Sequence, residues 1–226
     1  MKYLRKYKTV DDARNDLTYN TEFPYPSVVY CEDKELVGYF KEPKYNEPLY
    51  VDLGLPSGTL WCRWNVGAIY SDETIQDNFG LYFKWGETVG YRTKEECEAA
   101  SYKFNPSGDN ATFTKYNETD GLKTLELEDD PVHAIMGFDW RLPTDEQCKE
   151  LLENISGDYG NCTSIINGKK IYIPFNDGVP CFWSSTLNEE NVKSAHLIRG
   201  WHERIVTETY NRRLPCPIRG VINVKK

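Results

Sequence analysis

Short apolar runs, broken every few residues by Gly, Pro, Asn or Asp, dominate the chain. Runs at 170–174, 181–185, 194–199, 205–209 and 218–224 have the length and the aromatic and β-branched content of strands. Alternation around 203–209 predicts a hairpin with one face outward. Helical spacing is rarer. In RLPTDEQCKELLEN, Thr144 is placed to cap a helix over 144–154. Gln147 completes a capping box, and Cys148, Leu151 and Leu152 give the helix one apolar face. A second helix is predicted over 93–102, also with an acidic first turn. Residues 102–116 are polar and rich in Gly and Asn, which reads as a loop. No internal repeat is visible. The pattern is α+β, a few helices beside a twisted antiparallel sheet with long loops.

The first 45 residues read as a separate small unit. Thr9 is placed to cap a short helix ending near Leu17, and Pro24 and Pro26 punctuate a loop. Apolar runs at 27–30 and 36–40 around a charged turn predict a β-hairpin. A helix and a hairpin are marginally stable alone. The unit 1–45 is therefore expected to dock on the main domain, a second copy or a larger assembly. Residues 41–48 (KEPKYNEP) read as a linker, and 49–226 as the main domain.

Composition narrows the classes. No stretch of 18 apolar residues occurs among the 226, so no membrane-spanning helix is expected, and MKYLRKYKTVDD lacks the apolar core of a secretory signal. A net charge of -8 argues against a nucleic-acid binder. The charge is uneven: 117–158 holds 12 acids and 3 bases, 191–226 holds 2 acids and 8 bases. Solvated faces are the favoured reading, attraction between copies the other. Seven cysteines without CxxC spacing read as buried free thiols made in a reducing compartment.

Candidate chemistry is sparse. His133, His196 and His202 are the available bases, and none lies in a nucleophile motif. Phosphate-cradling glycine loops are absent. Glu126, Glu128, Asp129 and Asp130 offer oxygen ligands for a hard cation, although a solvated acidic loop is the plainer reading. No catalytic residue, metal or cofactor is assigned. Trp61, Trp64, Trp85, Trp140 and Trp183 read as core aromatics. Arg141 is expected to pair with a carboxylate such as Asp129 or Asp130. The most suggestive segment follows the strand holding Trp183. There Arg199, Trp201, His202, Arg204, Tyr210, Asn211, Arg212 and Arg213 combine planar rings with multidentate donors, as ligand-binding and receptor-binding faces do.

Three stretches, VDLGLPSGTLWCRWNVGA (51–68), FGLYFKWGE (79–87) and WRLPTDEQCKELL (140–152), are followed by FWSSTL (182–187) and PIRGVI (217–222). Their order resembles the Fibrobacter succinogenes major paralogous domain family, found in Bacteroidetes and their phages. The resemblance covers most of 50–224. It implies a C-type-lectin-like fold with motif residues in the scaffold and the late segment on a displayed face. It also implies a non-enzymatic virion protein: a head decoration, head fibre or tail component made in the host cytoplasm. The N-terminal unit would then anchor a homo-oligomer to other virion proteins, and the lectin-like domain would meet a host surface glycan or receptor. A purely architectural capsid or tail subunit is the alternative. A bacterial cytoplasmic or cell-surface location is the other placement. A formylglycine-generating enzyme is the third and weakest reading, since nothing around Cys181 or Cys216 matches that active site.

Overall fold

The computed structural model describes residues 6–7, 27–31, 34–39, 50–71, 74–77, 79–109, 112–137, 139–158, 160–174, 179–202 and 204–223. The expected N-terminal hairpin is present. β2 (Ser27–Cys31) pairs antiparallel with β3 (Lys34–Tyr39), and β1 (Lys6–Tyr7) lies parallel along β2. The helix expected over 9–17 lies outside the described residues.

β4 (Tyr50–Asp52) and β5 (Thr59–Cys62) flank a tight turn closed by the Gly58 amide on the Leu55 carbonyl at 2.8 Å. Gly54 and Gly58 hold φ of 71° and 74° there, a region open to Gly at little cost. β14 (Val221–Asn223) pairs with the other edge of β5, so the first and last strands of the 49–226 segment share one sheet. A two-stranded ribbon, β6 (Ile69–Ser71) with β7 (Thr74–Asp77), follows.

Three short α-helices among the described residues form where capping chemistry starts them. α1 (Lys94–Ala99) begins at Thr93, whose hydroxyl accepts from the Glu96 amide at 3.1 Å. α2 (Pro131–Met136) runs through the acidic stretch around His133, where the sequence allows a surface or a helix-start placement. Asp130 caps it through Oδ1, accepting from Val132 and His133 at 2.8 and 3.0 Å, and Gly137 ends it at φ 68°. The backbones of β2 and β3 approach this helix within 8 Å. α3 (Asp145–Glu153) carries the predicted capping box of Thr144 and Gln147 and buries Cys148 and Leu151.

β8 (Ile155–Asp158), β9 (Asn161–Ser164) and β10 (Lys170–Tyr172) form one antiparallel sheet. β11 (Pro180–Leu187), β12 (Ser194–Trp201) and β13 (Arg204–Asn211) form another, matching the late strands predicted. This second sheet divides two hydrophobic cores because successive side chains point to opposite faces. Trp183 and Leu197, paired across β11 and β12, enter one core; Phe182 and Ile198, also paired, enter the other with α3. Among the described residues the architecture is mixed α+β, with three three-stranded antiparallel sheets and few short helices.

The final segment binds the whole together. Along 212–221 the backbone exchanges hydrogen bonds with Trp85, Phe83, Trp183, Val66, Cys62 and Arg141, at 2.8–3.0 Å. All five motif stretches therefore meet on one extended run. Four of the five motif tryptophans are buried as expected, Trp61, Trp85, Trp140 and Trp183. Trp85 Nε1 donates to the Ser184 carbonyl and Trp183 Nε1 to the Phe83 carbonyl, at 2.9 and 3.0 Å. Trp64 departs from the expectation: it is half-buried and lines a surface groove.

Candidate functional site

The turn of the β12–β13 hairpin carries the most exposed described tryptophan. Trp201 stands opposite Arg204 on the last rung, leaving a two-residue connection. Such turns need positive φ, and His202 adopts 45°. Arg199, two residues before Trp201 on the same face, places its guanidinium 5.0 Å from the indole centre. Arg199 also donates to Glu208 at 2.8 Å, which fixes its head against β13. His202 meets the Trp201 ring edge-on at 4.7 Å. Trp201 is 47 % exposed, and His202 and Arg204 are exposed beside it.

The structure thus brings together Arg199, Trp201, His202 and Arg204 and separates them from the rest of the predicted segment. Tyr210 and Asn211 lie at the far end of β13, roughly 20 Å away at about 3.3 Å per residue. Tyr210 packs on Trp183 at 6.2 Å, and the Asn211 side chain accepts from the Arg213 amide at 3.0 Å. Arg212 is fully buried, so the expectation that it faces a ligand is corrected. Its guanidinium lies 3.7 Å from the Phe113 ring centre. It donates to the Tyr116 and Lys115 carbonyls at 2.8 and 3.3 Å. The strand period fixed neither fact, because Arg212 sits just past the end of β13, where alternation lapses.

The acidic cluster is organised by lysines. Oxygens of Glu126, Glu128 and Asp129 lie within 4.8 Å of one another, and Lys115 Nζ stands among them at 2.5, 2.8 and 2.6 Å. Lys103 holds the other Asp129 oxygen at 2.6 Å, and the Tyr116 hydroxyl donates to Asp129 at 2.7 Å. Burial opposes the Asp129 charge, yet hydrogen bonds from Lys103, Lys115 and Tyr116 hold its carboxyl below the usual range. An ammonium already supplies the countercharge a cation would bring. Asp130 is not part of this group; its Oδ2 accepts from the Leu142 amide at 2.9 Å. Arg141 Nη1 is set against His133 Nδ1 at 2.7 Å and the Trp140 carbonyl at 2.5 Å, and its charge acts on the expected Asp130 carboxyl.

His196 lies 3.3 Å from Asp145, which also pairs with Lys149 at 2.6 Å. Six cysteine side chains are described, and all six are buried free thiols. Burial pushes each thiol up, Cys97 and Cys181 to about 12 and Cys162 to about 11, which suppresses thiolate chemistry near neutral pH.

A groove of about 420 Å³, missed in the sequence, is lined by Arg63, Trp64, Asn161, Thr163, Lys170, Ile171 and Tyr172. Register explains it. Lys170 pairs with Thr163 and Tyr172 with Asn161, so all four project from one face of the β9–β10 ladder, while Ile171 and Cys162 between them help build the core. No helix among the described residues is long and apolar enough to cross a membrane.

Compared with family models, curated proteins and solved structures, the chain matches none.

Proposed function

We propose that this chain is a non-enzymatic display module, a virion component of a Bacteroidetes phage, with a C-type-lectin-like domain that binds a host surface glycan or receptor. The observation that carries the reading is the Trp201 turn. A 47 %-exposed indole is braced by one arginine and flanked by a second arginine and a histidine. Planar rings with multidentate donors at a hairpin tip are the residue types that dominate binding hot spots. The convergence of the five motif stretches on 212–221 supports a scaffold role for them, leaving recognition to side chains outside the motifs.

The experiment is binding of the purified protein, presented multivalently, to Bacteroidetes cells and their capsular polysaccharides, since avidity raises weak contacts by orders of magnitude. Binding is expected, with a loss of at least about tenfold in Trp201→Ala and Arg204→Ala. A folded protein that binds no strain, or variants that bind as the parent does, would overturn the recognition role. Particles of the encoding phage that lack the chain would overturn the virion role.

A further inference from the structure

We infer that the groove between the 63–64 turn and the β9–β10 ladder is a second binding site, separate from the Trp201 turn, for a saccharide bearing a carboxylate. Its walls are built for a ring. Trp64 and Tyr172 stand with ring centres 6.3 Å apart and planes tilted by 45°, an aromatic corner. Both rings are half-buried and line the groove. Asn161 and Thr163 add uncharged hydrogen-bonding groups from the neighbouring strand at positions set by backbone pairing. A ladder holds its side chains more rigidly than a loop, which lowers the ordering cost of binding.

Charge selects the ligand. Arg63 and Lys170 line the groove, and no carboxylate does among the described residues. A third cation lies behind the wall. Arg219 is fully buried and donates from Nη1 to the Tyr172 carbonyl at 2.8 Å and from Nε to Asn65 at 2.8 Å, while its Nη2 has no hydrogen-bond partner among the described residues. Both partners are neutral, so the positive charge behind Tyr172 is not cancelled locally, and low-dielectric surroundings transmit it farther than water would. Aromatic rings, two lining cations and an amide suit a sugar ring carrying an acid group, a uronic or sialic acid residue. A free phosphate has no use for the rings. A single-stranded nucleic acid would use the same parts, but the net charge of -8 on the chain disfavours that polyanion.

The test is titration of the purified full chain with oligogalacturonate, followed by Trp fluorescence and calorimetry. Neutral maltooligosaccharide of equal length and a thymidine octanucleotide serve as comparisons. Oligogalacturonate is expected to bind at least about tenfold more tightly than either, and to weaken as salt rises. Lys170→Glu, an exposed change, is expected to weaken it about tenfold or more, and Trp64→Ala to abolish it. Lys170→Glu keeps the test valid should Trp64→Ala fail to fold. Equal affinity for the neutral oligomer, tighter binding of the octanucleotide, or no binding by the folded parent would each overturn the inference. Trp201→Ala is expected to leave oligogalacturonate binding unchanged. Loss in that variant would overturn the separation of the two sites, and failure here leaves the cell-binding reading to its own experiment.

Discussion

Arg212 and Arg219 are both fully buried, seven residues apart on the segment that joins the motifs, yet they do different work. Arg212 is wrapped in rings, with Phe113 at 3.7 Å, Trp85 at 5.7 Å and Tyr102 at 6.0 Å. Its hydrogen bonds run to the carbonyls of Lys115 and Tyr116, so it fastens a loop. Tyr116 holds φ 57°, unusual for a bulky residue, and is pinned by Arg212, Asp129 and Asp120. Among the described residues Arg219 has the Phe182 ring at 5.2 Å, two neutral partners, and the thiols of Cys62, Cys162 and Cys181 with the Tyr172 phenol in its field. Burial lowers its pKa to about 10. The same residue type is thus a clamp where aromatic faces offset desolvation, and a retained charge under a surface groove where they do not.

Replacing the clamp should cost most. Arg212→Met is expected to destabilise by about 3–4 kcal/mol, because two charged hydrogen bonds and the contacts with three rings vanish and the buried Tyr116 carbonyl loses its partner. Arg219→Met should cost less, about 1–2 kcal/mol, since its two lost bonds and its removed desolvation match those of Arg212 while Phe182 alone among the described rings faces its guanidinium. Urea unfolding measures both. Equal costs would erase the distinction, and Arg219→Met is expected to weaken oligogalacturonate binding although it lies behind the groove wall.

Next in size is Asp129→Asn, expected to cost about 2–3 kcal/mol at pH 7 by leaving Lys103, Lys115 and Tyr116 with a weaker acceptor. The sign with pH follows from the depressed carboxyl. Its contribution is fully present above the ordinary aspartate value and is lost as pH falls through its lower folded value. Stability curves of parent and variant should therefore converge on acidification. Curves that stay parallel would remove Asp129 from the clamp. Phe113→Leu, which keeps the core apolar but removes the ring facing Arg212, should cost about 1–2 kcal/mol in the same assay.

The smallest effect concerns the thiols around Arg219. A cation normally lowers a thiol pKa, but here burial outweighs it in Cys62, Cys162 and Cys181. In native protein at pH 7.5, mass spectrometry after iodoacetamide should find these three unmodified, in the parent and in Arg219→Met alike. Rapid labelling of Cys181 in the parent alone would show that the cation, not burial, controls it.

Legibility in the sequence tracked the range of the physics. Capping is local, so α3 was readable from Thr144 and Gln147, and α1 from Thr93 and its acidic first turn. Apolar runs are local too, and they located β10 to β14 within a few residues, with alternation marking the β13 hairpin alone. α2 is short and capped by Asp130 inside an acidic run, so a surface loop and a helix start stayed equally open there. Of the candidate residues, Arg199, Trp201, His202 and Arg204 came together because a two-residue turn fixes their register. Arg212 was misplaced because its aromatic partners lie 85 to 113 in sequence, brought to it only by folding.

By itself the sequence determined the α+β class, the buried thiols, the capped helices and the late strands, since each rests on composition, on neighbouring residues or on strand period. Only the tertiary structure decided which charges are buried and which aromatic rings face outward. Trp64 and Trp61 sit three residues apart in one motif, and one lines a groove while the other is sealed in the core. That difference is set by which distant strand packs on each ring, a contact that local pattern does not encode.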